Sequence, residues 1–160
     1  MGDTFTTQSV GETERAGRLL ARHLQAGDVI ALAGDLGAGK THLVQGVAGG
    51  LGVEGAVTSP TFNILLVHSG SLPLYHLDLY RLDDPAQLED IDFYATLEGD
   101  GVSLIEWGDR FPDELPADHL LVEISRLGET ARGFRLTPGG PRSAVLAAAW
   151  SRSMREGAAR

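Results

Sequence analysis

The chain has 160 residues, 42% apolar and 22% charged, with no cysteine. That suits a single domain with a core of its own, and it excludes a disulfide scaffold, a zinc ribbon and a thiol nucleophile. Thirteen Lys+Arg stand against 22 Asp+Glu, a formal charge of −9, which disfavours a direct grip on nucleic acid, where affinity comes mostly from cations neutralising phosphates.

Charge is uneven along the chain. Residues His76 to Leu120 carry 13 acids and two arginines, whereas Leu121 to Arg160 carry seven arginines and three glutamates. The acidic stretch is either a solvated face or a surface that meets a basic partner. No apolar run approaches the roughly 20 residues of a membrane span. The first residues lack a basic segment followed by an apolar one. Met1-Gly2 through Thr6 fits a permissive acylation pattern, but no polybasic second signal follows it,. The expectation is a cytoplasmic protein without membrane association.

Taken in chain order, Ser9 or Thr13 can cap a first helix running to about Leu24, with Leu19, Leu20, His23 and Leu24 at helical spacing,. Val29 to Ala33 is a short continuous apolar run, as in a buried strand,. A glycine-rich stretch follows, and then Leu43, Val44, Val47 and Leu51 at helical spacing, with Gly49, Gly50 and Gly52 as the stop,. Thr61 to His68 and Leu72 to Tyr80 read as strands of a hairpin turning at Gly70,. Pro85 suits the first turn of a helix through about Phe93,. Val102 to Trp107 is a strand that ends in an acid. His119 to Arg126 and Ala131 to Thr137 pair as a second hairpin across Gly128. Ser143 caps a last helix, about 143–156, whose stripe of Val145, Leu146, Ala149, Trp150 and Met154 docks on the core,. The order indicates an α/β fold whose sheet is mixed and mostly parallel, with flanking helices.

Gly34-Asp35-Leu36-Gly37-Ala38-Gly39-Lys40-Thr41 matches G-x-x-x-x-G-K-[ST] without a gap. The glycines allow backbone conformations that a Cβ forbids, so that N–H groups turn inward around phosphate oxygens. The following helix adds its positive end. Lys40 supplies a point charge for the β- and γ-phosphates, and the Thr41 hydroxyl a magnesium ligand. Lys40 is the chain's only lysine among 13 cations, and arginine's planar fork replaces an ammonium poorly inside a tight backbone nest. Guanine-specific P-loop proteins use an Asn/Thr-Lys-x-Asp loop. This chain has no second lysine, so the nucleotide is expected to be ATP.

Magnesium takes hard oxygen ligands and keeps several waters. In P-loop proteins an acid at the end of an apolar strand holds it, and two strands offer one. Glu106 ends Leu104-Ile105-Glu106, and strand alternation puts His76, Asp78 and Tyr80 on one face,. At least one of Asp78 and Glu106 is expected at the metal; His76 and Asp78 alone lack the third ligand of a transition-metal site. The hydroxyls of Thr58, Ser59 and Thr61 are either switch-like sensors of the γ-phosphate or turn chemistry. Trp107 is either a core residue or a stack for a base. Arg81 and Arg110 either stabilise transferred-phosphate charge or pair with neighbouring acids.

Four blocks together, Gly34–Thr41, Val57–Phe62, His76–Leu82 and Leu104–Trp107, in this order and spacing, resemble the bacterial TsaE ATPase family. The resemblance spans about Gly11 to Ile124. It implies a single P-loop ATPase domain over 1–160, binding ATP and Mg, with Lys40, Asp78 and Glu106 as catalytic residues. Gly34, Asp35, Leu36, Gly37, Ala38, Gly39, Lys40 and Thr41 would hold the phosphates. Thr61 would belong to a switch-like segment, Trp107 would lie against the adenine, and Thr41, Glu106 and Asp78 would serve the metal. It further implies hydrolysis that resets a TsaB–TsaD complex between turnovers in the making of threonylcarbamoyladenosine, with tRNA contacted only through those partners. A small-molecule kinase with an arginine-bearing lid and a non-catalytic nucleotide-dependent interaction module are the rival expectations. The chain departs from the family's pattern at His42, where a second Thr is usual, and at Ile91-Asp92-Phe93, which replaces a frequent Leu-Gly step. Its tail beyond Thr137 matches no family block.

Overall fold

The computed structural model describes residues 3–34, 38–55 and 64–158. Their elements, in chain order, are β1 (Asp3–Thr7), α1 (Val10–Ala21), β2 (Val29–Ala33), α2 (Lys40–Gly50), β3 (Leu65–His68), β4 (Leu74–Asp78), α3 (Phe93–Leu97), β5 (Val102–Glu106), β6 (Leu120–Arg126), β7 (Arg132–Pro138) and α4 (Pro141–Ala158). Short 3-10 turns span Pro85–Ile91 and Pro112–Glu114.

The strands form one seven-stranded sheet in the order β1-β7-β6-β2-β5-β4-β3. The central four, β6-β2-β5-β4, pair in parallel. Antiparallel pairing adds β7 and then β1 at one edge and β3 at the other. Five strands therefore run one way and two, β3 and β7, the other, which is the mixed, mostly parallel sheet expected.

β2 is a continuous apolar run because both faces of the sheet are covered. Ile30 and Leu32 join a core with Leu20, Leu43, Val47, Leu104 and Trp150, under α1, α2 and α4. Val29 joins a second core with Leu77, Leu79, Leu88, Phe93 and Ile105, under the 85–97 segment. Each fully buried Leu or Ile contributes about 1.5–3 kcal/mol relative to exposure.

α1 and α2 approach closely. A Cβ on Gly17 would stand 2.4 Å from Leu43 O, and one on Gly46 only 2.0 Å from Glu14 O. Glycine at these helical positions serves a backbone-to-backbone contact that seats α2 against α1. Of the two capping candidates for α1, Ser9 is the one used: its Oγ accepts the Glu12 N–H at 3.1 Å. The helix ends at Ala21, short of Leu24.

Three elements differ from expectation. β1 is an edge strand that the sequence reading lacks, since DTFTT offers a single large apolar residue. That residue, Phe5, stacks on Phe134 (4.7 Å) and meets Trp150 edge-on (5.0 Å). The helix from Pro85 is instead a 3-10 turn to Ile91 followed by α3, divided at Asp92 with φ 52°. The last helix starts at Pro141 and runs to Ala158. Its first N–H groups are capped by Asp118, whose carboxylate accepts from Arg142 N and Ser143 N at 2.9 Å each. Ser143 Oγ instead accepts the preceding Gly139 and Gly140 N–H groups. Val145 is 61% exposed, so the inward stripe is Leu146, Ala147 and Trp150, with Met154 packed at its end.

Candidate nucleotide-binding site

β2 leads into Gly34, where a Cβ would stand 2.6 Å from Ile124 O of β6. α2 begins at Lys40 behind Gly39, whose φ of 105° lies in the left-handed region that favours glycine,. Ala38 is buried and Thr41 half-buried on the first turn of α2. Asp35, Leu36 and Gly37, and Thr61 with the rest of the 56–63 segment, lie outside the described residues. The reading of Thr58, Ser59 and Thr61 as sensors falls there too.

Lys40 is 4% exposed. Its Nζ donates to Gly34 O at 2.7 Å and stands 3.8 Å from the centroid of the Trp107 ring. An ammonium over an aromatic face is held electrostatically, by about 2 kcal/mol when desolvated. Trp107 reaches that place through a left-handed backbone turn, φ 58°, immediately after β5. Its ring also meets Tyr80 at 5.0 Å between centroids and packs partly against the second core.

The parallel register brings Glu106 opposite Asp78 on one side and Leu32 on the other. Both acids thus stand at strand ends level with the loop, at the carboxyl edge where open α/β sheets bind ligands. Glu106 is buried. Burial raises the Asp78 carboxyl above its ordinary value; the Tyr80 N–H bond opposes this, the Glu106 charge adds to it, and Lys40 and His76 oppose it. Two carboxylates at this spacing carry an excess of negative charge that a hard cation would offset. Among the described residues no group of three His, Asp or Glu side chains forms a metal cage. A cation here would complete its shell with phosphate oxygens, the Thr41 hydroxyl and water, as magnesium does in nucleotide sites. The donor set fits that ion.

The strand reading placed His76 on a polar face with Asp78 and Tyr80. In the structure His76 is fully buried, Asp78 half-buried and Tyr80 exposed, the last lying beyond the end of β4. His76 Nε2 lies 2.5 Å from Glu106 Oε2, a pairing the sequence reading missed. Beside the loop, a groove of about 530 Å³ is lined by Ala33, Gly34, Trp107, Ile124, Ser125 and Arg126, with Asp109 and Glu123.

The arginines divide. Arg110 donates to Leu82 O and reaches Asp83 at 3.4 Å, so it braces the chain after β4. Arg132 donates to the hairpin carbonyls of Gly128, Glu129 and Ala131, and a Cβ on Gly39 would stand 3.4 Å from its Nε. It therefore abuts Gly39 just before α2. Arg135 pairs with Glu123 across the hairpin surface. His42 faces α1, its Nδ1 3.6 Å from Glu14 Oε1.

A profile described as threonylcarbamoyl adenosine biosynthesis protein TsaE matches residues 7–134. The chain belongs to the TsaE family. It is 41% identical to the tRNA threonylcarbamoyladenosine biosynthesis protein TsaE of Bacillus subtilis over 149 residues, covering 92% of this chain and 93% of that one. The TsaE of Streptomyces coelicolor is 48% identical over 124 residues, covering 74% and 83% respectively. Among solved structures, the crystal structure of Bacillus subtilis YdiB superimposes with a TM-score of 0.80 at 34% identity, covering 96% of each chain. The Asp92 departure now has a structural account. The residue takes a left-handed conformation, where the family's frequent glycine would be unstrained and Asp is among the better-tolerated substitutes.

Proposed function

We propose that this TsaE family member is a magnesium-dependent ATPase that serves tRNA threonylcarbamoyladenosine biosynthesis with TsaB and TsaD, its hydrolysis resetting their complex between turnovers. The observation that carries the reading is the buried Lys40 ammonium at the start of α2, near enough to the paired strand-end carboxylates of Asp78 and Glu106 for its charge to act on Asp78. Lys40 exchanges the Gly34 carbonyl for β- and γ-phosphate oxygens, and the first N–H groups of α2 add their dipole. Thr41, Glu106 and Asp78 would hold a magnesium ion, which would supply charge shielding at the phosphates against an attacking water. Asp78 is the half-buried acid, nearer solvent than the buried Glu106, and would orient that water,. Trp107 flanks the nucleotide. The net charge of −9 supports leaving tRNA to the partners, with the acidic 76–120 stretch facing them.

The test is phosphate release from ATP by the purified chain, alone and with TsaB and TsaD. Hydrolysis that rises with the partners and falls at least about a hundredfold in Lys40→Ala is expected. Label transferred to a metabolite in place of free phosphate would make the protein a kinase. Nucleotide binding with no turnover even in the presence of both partners would make it an interaction module.

A further inference from the structure

We infer that His76 is a positioning residue that sets the orientation of the Glu106 carboxylate for the metal. This rests on the magnesium reading of Glu106 proposed above. His76 lies in the middle of β4, opposite Leu104 of β5, and is 0% exposed. Three of its neighbours along and across the sheet are leucines, Leu74 two residues earlier, Leu66 opposite on β3 and Leu104 opposite on β5, and the fourth, two residues later at the strand end, is Asp78. A leucine would fill this place without the roughly 1–3 kcal/mol that an imperfectly satisfied buried polar group costs. Packing therefore gives no reason for an imidazole.

The reason is at the other end of the ring. Nε2 meets Glu106 Oε2 at 2.5 Å, a contact that runs one strand across and two residues along the same sheet face. A carboxylate oxygen accepts, so Nε2 carries the proton. Nδ1 has no hydrogen-bond partner among the described residues, so the Glu106 contact is the polar bond that holds the ring. The His68 ring, centroid 6.4 Å away, backs it. Anchoring one carboxylate oxygen fixes the carboxylate plane, and with it the direction the second oxygen presents at the end of β5. Partners that orient a metal ligand in this way are worth about 10–100-fold in metal affinity.

The experiment titrates the full-length chain with ADP by calorimetry, once with Mg2+ and once with EDTA. His76→Leu is expected to bind ADP without metal as the wild type does, and to lose about 10–100-fold of the Mg2+-dependent gain. His76→Gln, whose amide can donate to Glu106, is expected to recover most of it. Mn2+ in place of Mg2+, read by electron paramagnetic resonance, should show the same order. A Leu variant that keeps the full Mg2+-dependent gain overturns the inference. So does one that loses metal-free and metal-supported binding alike, since that marks a purely structural role. Should the Leu variant fail to fold, His76→Gln is set against His76→Asn, whose amide stops one carbon short; equal metal dependence in the two overturns the inference. A wild type that binds ADP no better with Mg2+ overturns the magnesium reading itself.

Discussion

Trp107 holds a left-handed backbone conformation that costs a non-glycine residue about 1–3 kcal/mol, and the turn places its ring over the Lys40 ammonium. The strain sits where β5 ends, and there the ring both meets Lys40 and packs partly against the second core. Lys40 was legible in the sequence because the eight-residue loop pattern is contiguous and the chain has no other lysine. The place of Trp107 was not, because a single φ angle decides whether its ring turns inward or over the loop. The two tryptophans now separate cleanly. Trp150 is 0% exposed, with its Nε1 donating to Ala16 O. Adding Mg·ATP should therefore change the emission of Trp107 alone. The change is expected to survive Trp150→Phe and to vanish in Trp107→Phe; a signal that persists in Trp107→Phe would remove that ring from the nucleotide's surroundings.

Among the elements, α1 and α2 show where local preference and packing disagree. Helix propensity alone makes Gly46→Ala favourable by about 1 kcal/mol. The added methyl would meet a backbone oxygen, Glu14 O, at 2.0 Å, and that oxygen cannot move without α1. Overpacking of this kind costs typically about 1–3 kcal/mol, so the variant is expected to be less stable, with its urea midpoint shifted down at unchanged slope. A more stable variant would mean that the helices slide apart freely. The edges of the sheet followed the same logic. β2 and β5 announced themselves by unbroken apolar runs, since both of their faces are buried. β1 did not, since one face of DTFTT meets solvent and its attachment depends on Phe5 finding Phe134 and Trp150.

Across the whole molecule, α4 is tied back to the start of β2. Arg142 donates to both carboxylate oxygens of Asp28, at 2.9 and 2.8 Å, and to His23 O at 2.7 Å. His23 in turn meets Ser153 Oγ at 2.8 Å. Arg142→Met leaves the buried Asp28 without its cation and is expected to cost about 2–4 kcal/mol, somewhat under the range for fully buried pairs because Arg142 is partly exposed,. A thermal melt within 1 °C or so of the wild type would contradict this. The junction also responds to pH. Burial, then the Arg22 and Arg142 charges, hold His23 below its ordinary value. The unfolded chain therefore takes up a proton that the fold resists, and stability present above about pH 6.5 is lost as pH falls through that value toward the lowered one. His68 acts in the same direction through burial and the nearby His76. Melting temperature should fall on acidification from about pH 7 to 5.5, and His23→Gln should lessen the fall; an equal fall in the variant would assign the effect elsewhere. The sequence by itself determined the glycine-rich G-x-x-x-x-G-K-T pattern, the alternation of strands and helices, and the two strand-end acids, because each is a pattern of neighbours that the chain carries locally. Only the tertiary structure decided that His76 holds Glu106, that Trp107 covers Lys40 and that Arg132 abuts Gly39. Those meetings join residues far apart in the chain, and strand register, helix packing and turn conformation bring them together.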